Sequence, residues 1–388
     1  MNSIINILIG GDFFPTSDNE KYFIKDGVSN LFNADLINLL NSVDLKVFNL
    51  EGPLSKKGVK EKKCGPNLST DESCVSLYAD LRPLFLGLGN NHIMDFGAEA
   101  LDATLECLKK NNIYFSGAGN HLADAKKPFI FTKRGKKIGI YSCAEHEFSI
   151  ATEKSPGANP FDPLESYDDI QELKEKVDFL VILYHGGKEY YQYPSPLLQK
   201  CCRKMVDKGA DIVVCQHSHC IGCREDYSKG IIIYGQGNFL FNIGDNEFAN
   251  SSLLLNVTFD KSVTVKEIPL LRSSIGVKLA DNNAASIILT AYHKRSMNIL
   301  KKNFVENAYA VFAKEHINDY LNSFLGDSLL VRIINKLLSH NFAKVILSQA
   351  SYLKILNFID CEAHRELFIC GIKGMLQHDK EKDPTDFL

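Results

Sequence analysis

The sequence contains no tryptophan, and its aromatic mass comes instead from 24 Phe and 15 Tyr. It has no apolar run approaching the ~18 residues that a membrane helix needs, so no transmembrane segment is expected. The opening residues Met1-Asn2-Ser3-Ile4-Ile5-Asn6 carry no basic group, and the apolar stretch behind them stops at Gly10-Gly11-Asp12. They do not read as a signal peptide. Neither sign of charge dominates: 44 Lys and Arg against 47 Asp and Glu give a net charge of −3, which provides no reason to expect nucleic acid as a partner. A G-x-x-x-x-G-K-[ST] loop is missing, which removes one route to ATP-driven ligation. Gly87-x-Gly89, Gly117-x-Gly119 and Gly235-x-Gly237 lack the third glycine of a dinucleotide fingerprint, so a nicotinamide cofactor is unsupported. The nucleophile elbow G-x-S-x-G is absent as well. The chain therefore reads as cytoplasmic, with attachment to the inner face of the membrane as the alternative.

Eleven cysteines stand out. An odd count, the adjacent pair Cys201-Cys202 and the missing signal argue against a disulfide framework. Cys220-x-x-Cys223 has no second ligand pair at zinc-knuckle spacing, so buried, reduced thiols are the expectation.

A hydrophobic fraction of 45% over 388 residues fits an ordinary globular core, and at roughly 100–200 residues per domain the length allows two or three domains. Through about residue 272, strand-like apolar runs at 4–9, 45–50, 84–88, 137–141, 178–184, 211–215 and 231–234 alternate with helical patterns at 30–42, 98–111, 164–176 and 194–208. Short continuous apolar runs suit strands covered on both faces, and hence a layered α/β architecture. Runs 253–259 and 263–271 read as a closing hairpin. Beyond it, 284–300, 305–324, 329–338, 342–358 and 361–376 repeat a helical pattern without a strand, and a charged tail comes after them at 378–386. The predicted division is a catalytic domain over 1–272 and a helical region over 273–388.

The informative pattern lies at the ends of the strands. The first run ends in Gly10-Gly11-Asp12, and the second delivers Asn49-Leu50-Glu51-Gly52. The third delivers Asn90-Asn91-His92, with Asp95 and Gly97 after it. Later runs end in His185-Gly186-Gly187 and in Gln216-His217-Ser218-His219. Five strands thus present a carboxylate, amide or imidazole at the edge where open α/β sheets bind ligands. Each feature alone is weak, since Gly-Asp after a strand is usually a turn and a lone His is usually a satisfied polar group. Together they form a mixed oxygen and nitrogen donor set suited to Mn²⁺, Zn²⁺ or Fe²⁺, as one ion or two.

Two cations roughly 3.5–4 Å apart can activate water and clamp both oxygens of an in-line displacement on phosphorus. A bridging carboxylate offsets their repulsion, and Glu51 is the candidate. His92 is placed to protonate a leaving group with Asp95 as its orienter. Lys188, Glu189 and Tyr190 come directly after His185, and Arg224 and Glu225 after the His pair; an Arg or Lys there would suit an anionic small molecule or polymer. Asn90 and Asn238 are expected to hydrogen-bond the ligand loops.

The ordered set Gly11-Asp12, Asn49-Leu50-Glu51, Asn90-Asn91-His92-x-x-Asp95-x-Gly97, His185-x-Gly187-x-Glu189-Tyr190, Gly209-Ala210-Asp211, His217-x-His219 and Gly237-Asn238-Phe239 resembles the CapA (PgsA) capsule-synthesis family over roughly residues 5–245. The resemblance implies a metallophosphoesterase-like two-layer β-sandwich flanked by helices, and a role in capsular polymer or poly-γ-glutamate metabolism. It implies Asp12, Glu51, Asn91, His185, His217 and His219 as metal ligands and His92 as proton donor. Glu51 stands where the wider superfamily has Asp, and Gln216 where it has Gly. Phe14 stands at the position of a superfamily His, so unequal metal sites are expected. Known members of the family carry an N-terminal membrane anchor, whereas this chain starts at its first strand. Capsule-synthesis proteins are expected partners through the helical C-terminal region. Three activities fit: a phosphoester hydrolase, a γ-glutamyl amide hydrolase or transferase, and a catalytically weak scaffold.

Overall fold

The computed structural model describes residues 3–25, 27–241, 246–326 and 328–381. Strands β1 (Ile5–Asp12), β2 (Leu45–Asn49), β3 (Leu84–Gly87) and β4 (Tyr114–Ser116) lie side by side and parallel. The short β5 (Ala118–Gly119) is next, then β6 (Phe129–Lys133), β7 (Lys136–Ala144) and β8 (Gly157–Ala158), which pairs with β5. After these come β9 (Phe179–His185), β10 (Ile212–Gln216), β11 (Arg224–Tyr227) and β12 (Gly230–Ile233). Last are β13 (Ser251–Phe259), β14 (Val263–Arg272) and β15 (Val277–Leu279). One sheet has the order β15-β14-β13-β1-β2-β3-β4 and the other β11-β12-β10-β9-β7-β6.

The two sheets stack, and residue alternation shows why. In β1, Ile7 and Ile9 join Val181 and Leu183 of β9 in an apolar layer between the sheets, while Leu8 faces a cluster with Leu36 and Leu101. Leu180 and Ile182 of β9 face outward onto Leu173, Leu198 and Met205. Helices Ala34–Asn41 and Gly97–Lys110 thus cover one sheet, and Ser166–Lys174 and Pro196–Asp207 the other. Strands covered on both faces explain the continuous apolar runs in the sequence. The result is the helix-flanked two-layer sandwich expected of a metallophosphoesterase-like fold.

Expected and observed elements differ at identifiable places. The hairpin forms, and its strand β13 pairs antiparallel with β1 from Ile5↔Phe259 to Ile9↔Leu255. Strand β6 is a half-exposed edge strand in which Phe129, Phe131 and Lys133 are partly buried while Ile130 and Thr132 are exposed, and its apolar run of three residues is too short to stand out in the sequence. The expected helix 342–358 is two helices, Phe342–Ile346 and Gln349–Asp360, because Ser348 Oγ accepts from Ser351 N and starts a new helix.

The chain divides into two compact units, residues 1–309 and 310–388. The stretch 273–309, which the sequence pattern grouped with the helical region, adds β15 and helix Asn282–Asn298 to the first unit. There Tyr292 is fully buried, and Arg295 Nε donates to Gly222 O at 2.7 Å. The second unit contains helices Leu329–Leu337, Phe342–Ile346, Gln349–Asp360 and Glu362–Glu381. Of the charged tail at 378–386, residues 382–386 lie outside the described residues. Among the described residues no helix is long and apolar enough to cross a membrane.

Candidate metal centre

The parallel strands β1, β2, β3, β9 and β10 bring their C-terminal ends to one edge of the sandwich. Asp12 closes β1 opposite Asn49 of β2, and His185 closes β9 opposite Gln216 of β10. The chain then turns sharply: His217 and His219 both adopt positive φ, at 82° and 51°. Such backbone is sparsely populated by non-glycine residues and persists where its surroundings over-determine it. Here it turns two imidazoles separated by one residue toward the cluster, with ring centroids 6.0 Å apart. Gly11 has a local reason too: a Cβ there would meet Gly237 O at 2.1 Å, so the residue before Asp12 cannot carry a side chain.

The structure gathers all six expected ligands. Two triads of buried donors have ligand atoms within 4.8 Å of one another, Asp12 with Glu51 and His185, and Glu51 with His217 and His219. Glu51 belongs to both. His185 Nε2 lies 3.4 Å from Glu51 Oε1, 3.1 Å from Asn91 Oδ1 and 3.0 Å from His217 Nδ1. One ring nitrogen carries at most one proton, so it cannot satisfy three such neighbours by hydrogen bonding. Glu51 is fully buried, and its Oε1 has no hydrogen-bond partner among the described residues. A buried carboxylate short of donors, facing convergent nitrogens, fits a divalent cation.

Asn49, quoted in the sequence pattern without a role, is central. Its Nδ2 donates to Asp12 Oδ1 at 2.8 Å and also to Glu51 Oε2, holding two carboxylates apart. Asn90 supports it, donating from Nδ2 to Asn49 Oδ1 at 3.2 Å and to Leu50 O at 2.7 Å. His219 Nδ1 lies 3.0 Å from Asp12 Oδ2 and 2.9 Å from Asn238 Oδ1. Phe14 is buried against Phe241, whose ring centroid lies 5.8 Å from that of His219.

The charges are interlocked. Burial opposes the cationic form of His219, yet the bond to Asp12 and the fields of Asp12 and Glu51 hold it up at about 9. Burial, then the neighbouring His185, His219, His92 and Lys188, push His217 well below the usual imidazole value. Burial works against the Asp12 charge as well, but His219 and His185 keep that carboxyl below its ordinary value.

His92 Nδ1 sits 2.7 Å from Asp95 Oδ2, and both residues are buried. Lys63 joins them, its Nζ 3.0 Å from His92 Nδ1 and paired to Asp95 Oδ1. Leu68 N donates to Asp95 Oδ2 at 2.6 Å. Lys63 lies in an irregular stretch with no periodicity, and nothing in the sequence marked it. Glu147 is another addition: it comes after β7, accepts from Asn91 Nδ2 at 2.8 Å and lies 3.8 Å from His217 Nε2. Applying the strand-end rule to β7 would have found it.

The expected substrate residues separate into two groups. Tyr190 is exposed, with its ring 6.2 Å from that of His219, and exposed Lys188 and half-buried Glu189 precede it. Arg224 and Glu225 are not brought to the cluster, because the chain leaves the His pair along edge strand β11. Arg224 pairs with Asp226 and Glu267, while Glu225 is buried and bound by Arg203, Gln199 and Tyr234.

Stacked sheets with a carboxylate, amide and imidazole cluster at their strand ends define the class of the protein, an α/β sandwich with a candidate metal centre. A profile described as "Bacterial capsule synthesis protein PGA_cap" matches residues 6–243, well over half of the chain, which therefore belongs to that family. The chain is 29% identical over 258 residues to the PGA biosynthesis protein CapA of Bacillus subtilis, covering 65% of this chain and 67% of that protein. It is 29% identical over 238 residues to the capsule biosynthesis protein CapA of Bacillus anthracis, covering 59% of this chain and 58% of that one. The match thus spans between about three-fifths and two-thirds of these relatives' lengths. Among solved structures, a novel phosphatase from Mycoplasma pneumoniae is 15% identical, with a TM-score of 0.41 over 69% of this chain and 94% of that one.

Proposed function

We propose that the protein is a metal-dependent hydrolase acting on a phosphoester or related anionic bond in capsular polymer or poly-γ-glutamate metabolism. The observation that carries this reading is Glu51, the buried carboxylate shared by two donor triads. Asp12, Glu51, Asn91, His185, His217 and His219 would hold the metal, with Mn²⁺, Zn²⁺ and Fe²⁺ as the ions their chemistry suits. A divalent cation held there supplies a Lewis acid that acidifies water and polarises a phosphoryl or carbonyl oxygen. His92, oriented through Nδ1 by Asp95, would hand a proton to the leaving oxygen. Lys188 and Tyr190 would meet an anionic substrate at the rim.

The same donors can serve attack on a γ-glutamyl amide, a reading favoured by the relatives' assignment to PGA and capsule biosynthesis. Buried Phe14, at the position where the resemblance implies a superfamily His, favours a third reading, a weakly catalytic component that binds polymer or synthesis proteins. Metal analysis of purified protein, with turnover assays on a generic phosphodiester and on poly-γ-glutamate, separates the three. Phosphodiester turnover lost in His92→Ala is the expected result. Stoichiometric metal with no turnover of either substrate would eliminate the hydrolase readings.

A further inference from the structure

We infer that Glu147 is a positioning residue that turns the oxygen of the Asn91 carboxamide, rather than its nitrogen, toward the donor cluster. The inference deepens the metal-centre reading and rests on it. A carboxamide has two ends of nearly equal size, and only the oxygen has a lone pair to offer a cation. Packing alone cannot choose between them, since a half-turn about the last side-chain bond exchanges them. Something polar has to decide.

The arrangement around Asn91 does decide. Its Nδ2 donates to Glu147 Oε2 at 2.8 Å, which leaves Oδ1 3.1 Å from His185 Nε2. An ionised carboxylate only accepts hydrogen bonds. The flipped amide would set Oδ1 against Oε2, two acceptors with no proton between them, so that orientation is excluded. The loop bearing Glu147 is tied to the Asn91 loop a second time: Ser149 Oγ donates to Asn91 O at 2.6 Å and accepts from Met94 N at 3.4 Å. That loop comes after β7 of one sheet, while Asn91 comes after β3 of the other. The Glu147 side chain remains 38% exposed, so its charge stays hydrated while it orients its neighbour. Asn49 orders the Asp12 and Glu51 carboxylates in the same manner, and Asn238 orders His219.

The test is a substitution series graded by hydrogen-bond character. Glu147→Gln keeps an acceptor but adds an NH₂ that tolerates the flipped amide. Glu147→Ala removes the preference, and Glu147→Lys, donor only, favours the wrong end. Mn²⁺ affinity, titrated calorimetrically in 0.5 M KCl to screen long-range charge, is expected to fall in the order wild type, Gln, Ala, Lys. Orienting partners of metal ligands are worth on the order of 10–100-fold in affinity, and the Ala and Lys variants should lie in that range. A merely structural or electrostatic role would leave Gln grouped with Ala or Lys grouped with Ala. Independently of metal, the Asn91 side-chain amide resonances of the metal-free protein, assigned by their loss in Asn91→Asp, should shift in Glu147→Ala. If wild type binds Mn²⁺ and the whole series binds it equally, the positioning role is overturned. If wild type binds no divalent ion, the metal-centre reading fails, and unshifted Asn91 resonances in Glu147→Ala would overturn the positioning role as well.

Discussion

Lys63 sets its ammonium group against Asp95 Oδ1 in a pair whose side chains are only 2% and 1% exposed. A buried ion pair is weak evidence for net stability, but removing one partner strands the other as an uncompensated charge. Lys63→Met is therefore expected to destabilise the protein by about 3–5 kcal/mol, read from urea unfolding. The double variant Lys63→Met/Asp95→Leu should recover much of that loss. A single-variant loss below about 1 kcal/mol, the range of exposed pairs, would show that water reaches Asp95.

Asn49 separates Asp12 from Glu51 by donating to both. Asn49→Leu keeps the volume and deletes the donor, leaving two buried carboxylates under-satisfied. The metal-free protein should lose ~1–3 kcal/mol, and saturating Mn²⁺ should restore part of it by neutralising the carboxylates. Equal losses with and without Mn²⁺, measured by thermal unfolding, would separate Asn49 from the metal centre.

The proton on His219 gives a pH dependence of known sign. Its value is raised from 6.5 to about 9 in the metal-free fold, against burial and by Asp12 and Glu51. That proton stabilises the metal-free fold fully below pH 6.5, and the contribution is lost as pH rises through about 9. A cation must displace it, so metal affinity should rise with pH from 6.5 and level off near 9, with proton release on binding. Calorimetry in two buffers of different ionisation heat detects the release. An affinity independent of pH across this window would exclude His219 as a ligand.

Phe14, buried against Phe241, stands at the position where the resemblance implies a superfamily His, and an imidazole there would offer a seventh ligand. Phe14→His should raise the metal-to-protein ratio measured by elemental analysis toward two, while lowering stability through burial of a polar ring. An unchanged ratio, with the variant folded, would mean that the six donors already fill both positions.

Much of this arrangement was legible in the sequence because it obeys local rules. Strands buried on both faces write continuous apolar runs, and β1, β2, β3, β9 and β10 announce their ends with Asp12, Glu51, Asn91, His185 and His217. What the sequence hid depends on contacts between distant segments. Lys63 meets Asp95 from a stretch of chain with no periodic signal, and Glu147 meets Asn91 across the two sheets. Arg224 and Glu225 looked like rim residues because they are near His219 in sequence. Edge strand β11 carries them away, and only the pairing with Glu267 and Arg203 reveals it. The extent of the first unit was similarly hidden, since helix Asn282–Asn298 packs through Tyr292 without a strong amphipathic stripe.

The donors come from two sheets: Asp12, Glu51 and Asn91 sit at strand ends of one, and His185, His217 and His219 at strand ends of the other. Their separation is therefore inherited from the thickness of the apolar layer that holds those sheets apart. Ile9 and Leu183 lie in that layer, and neither is a donor. Trimming either by a methylene would narrow or tilt the gap, and with it the ionic radius the donors can grip. If the proposed metal centre holds, discrimination among cations would be written partly in the oily interior, where ordinary core drift could retune it while every donor stays in place.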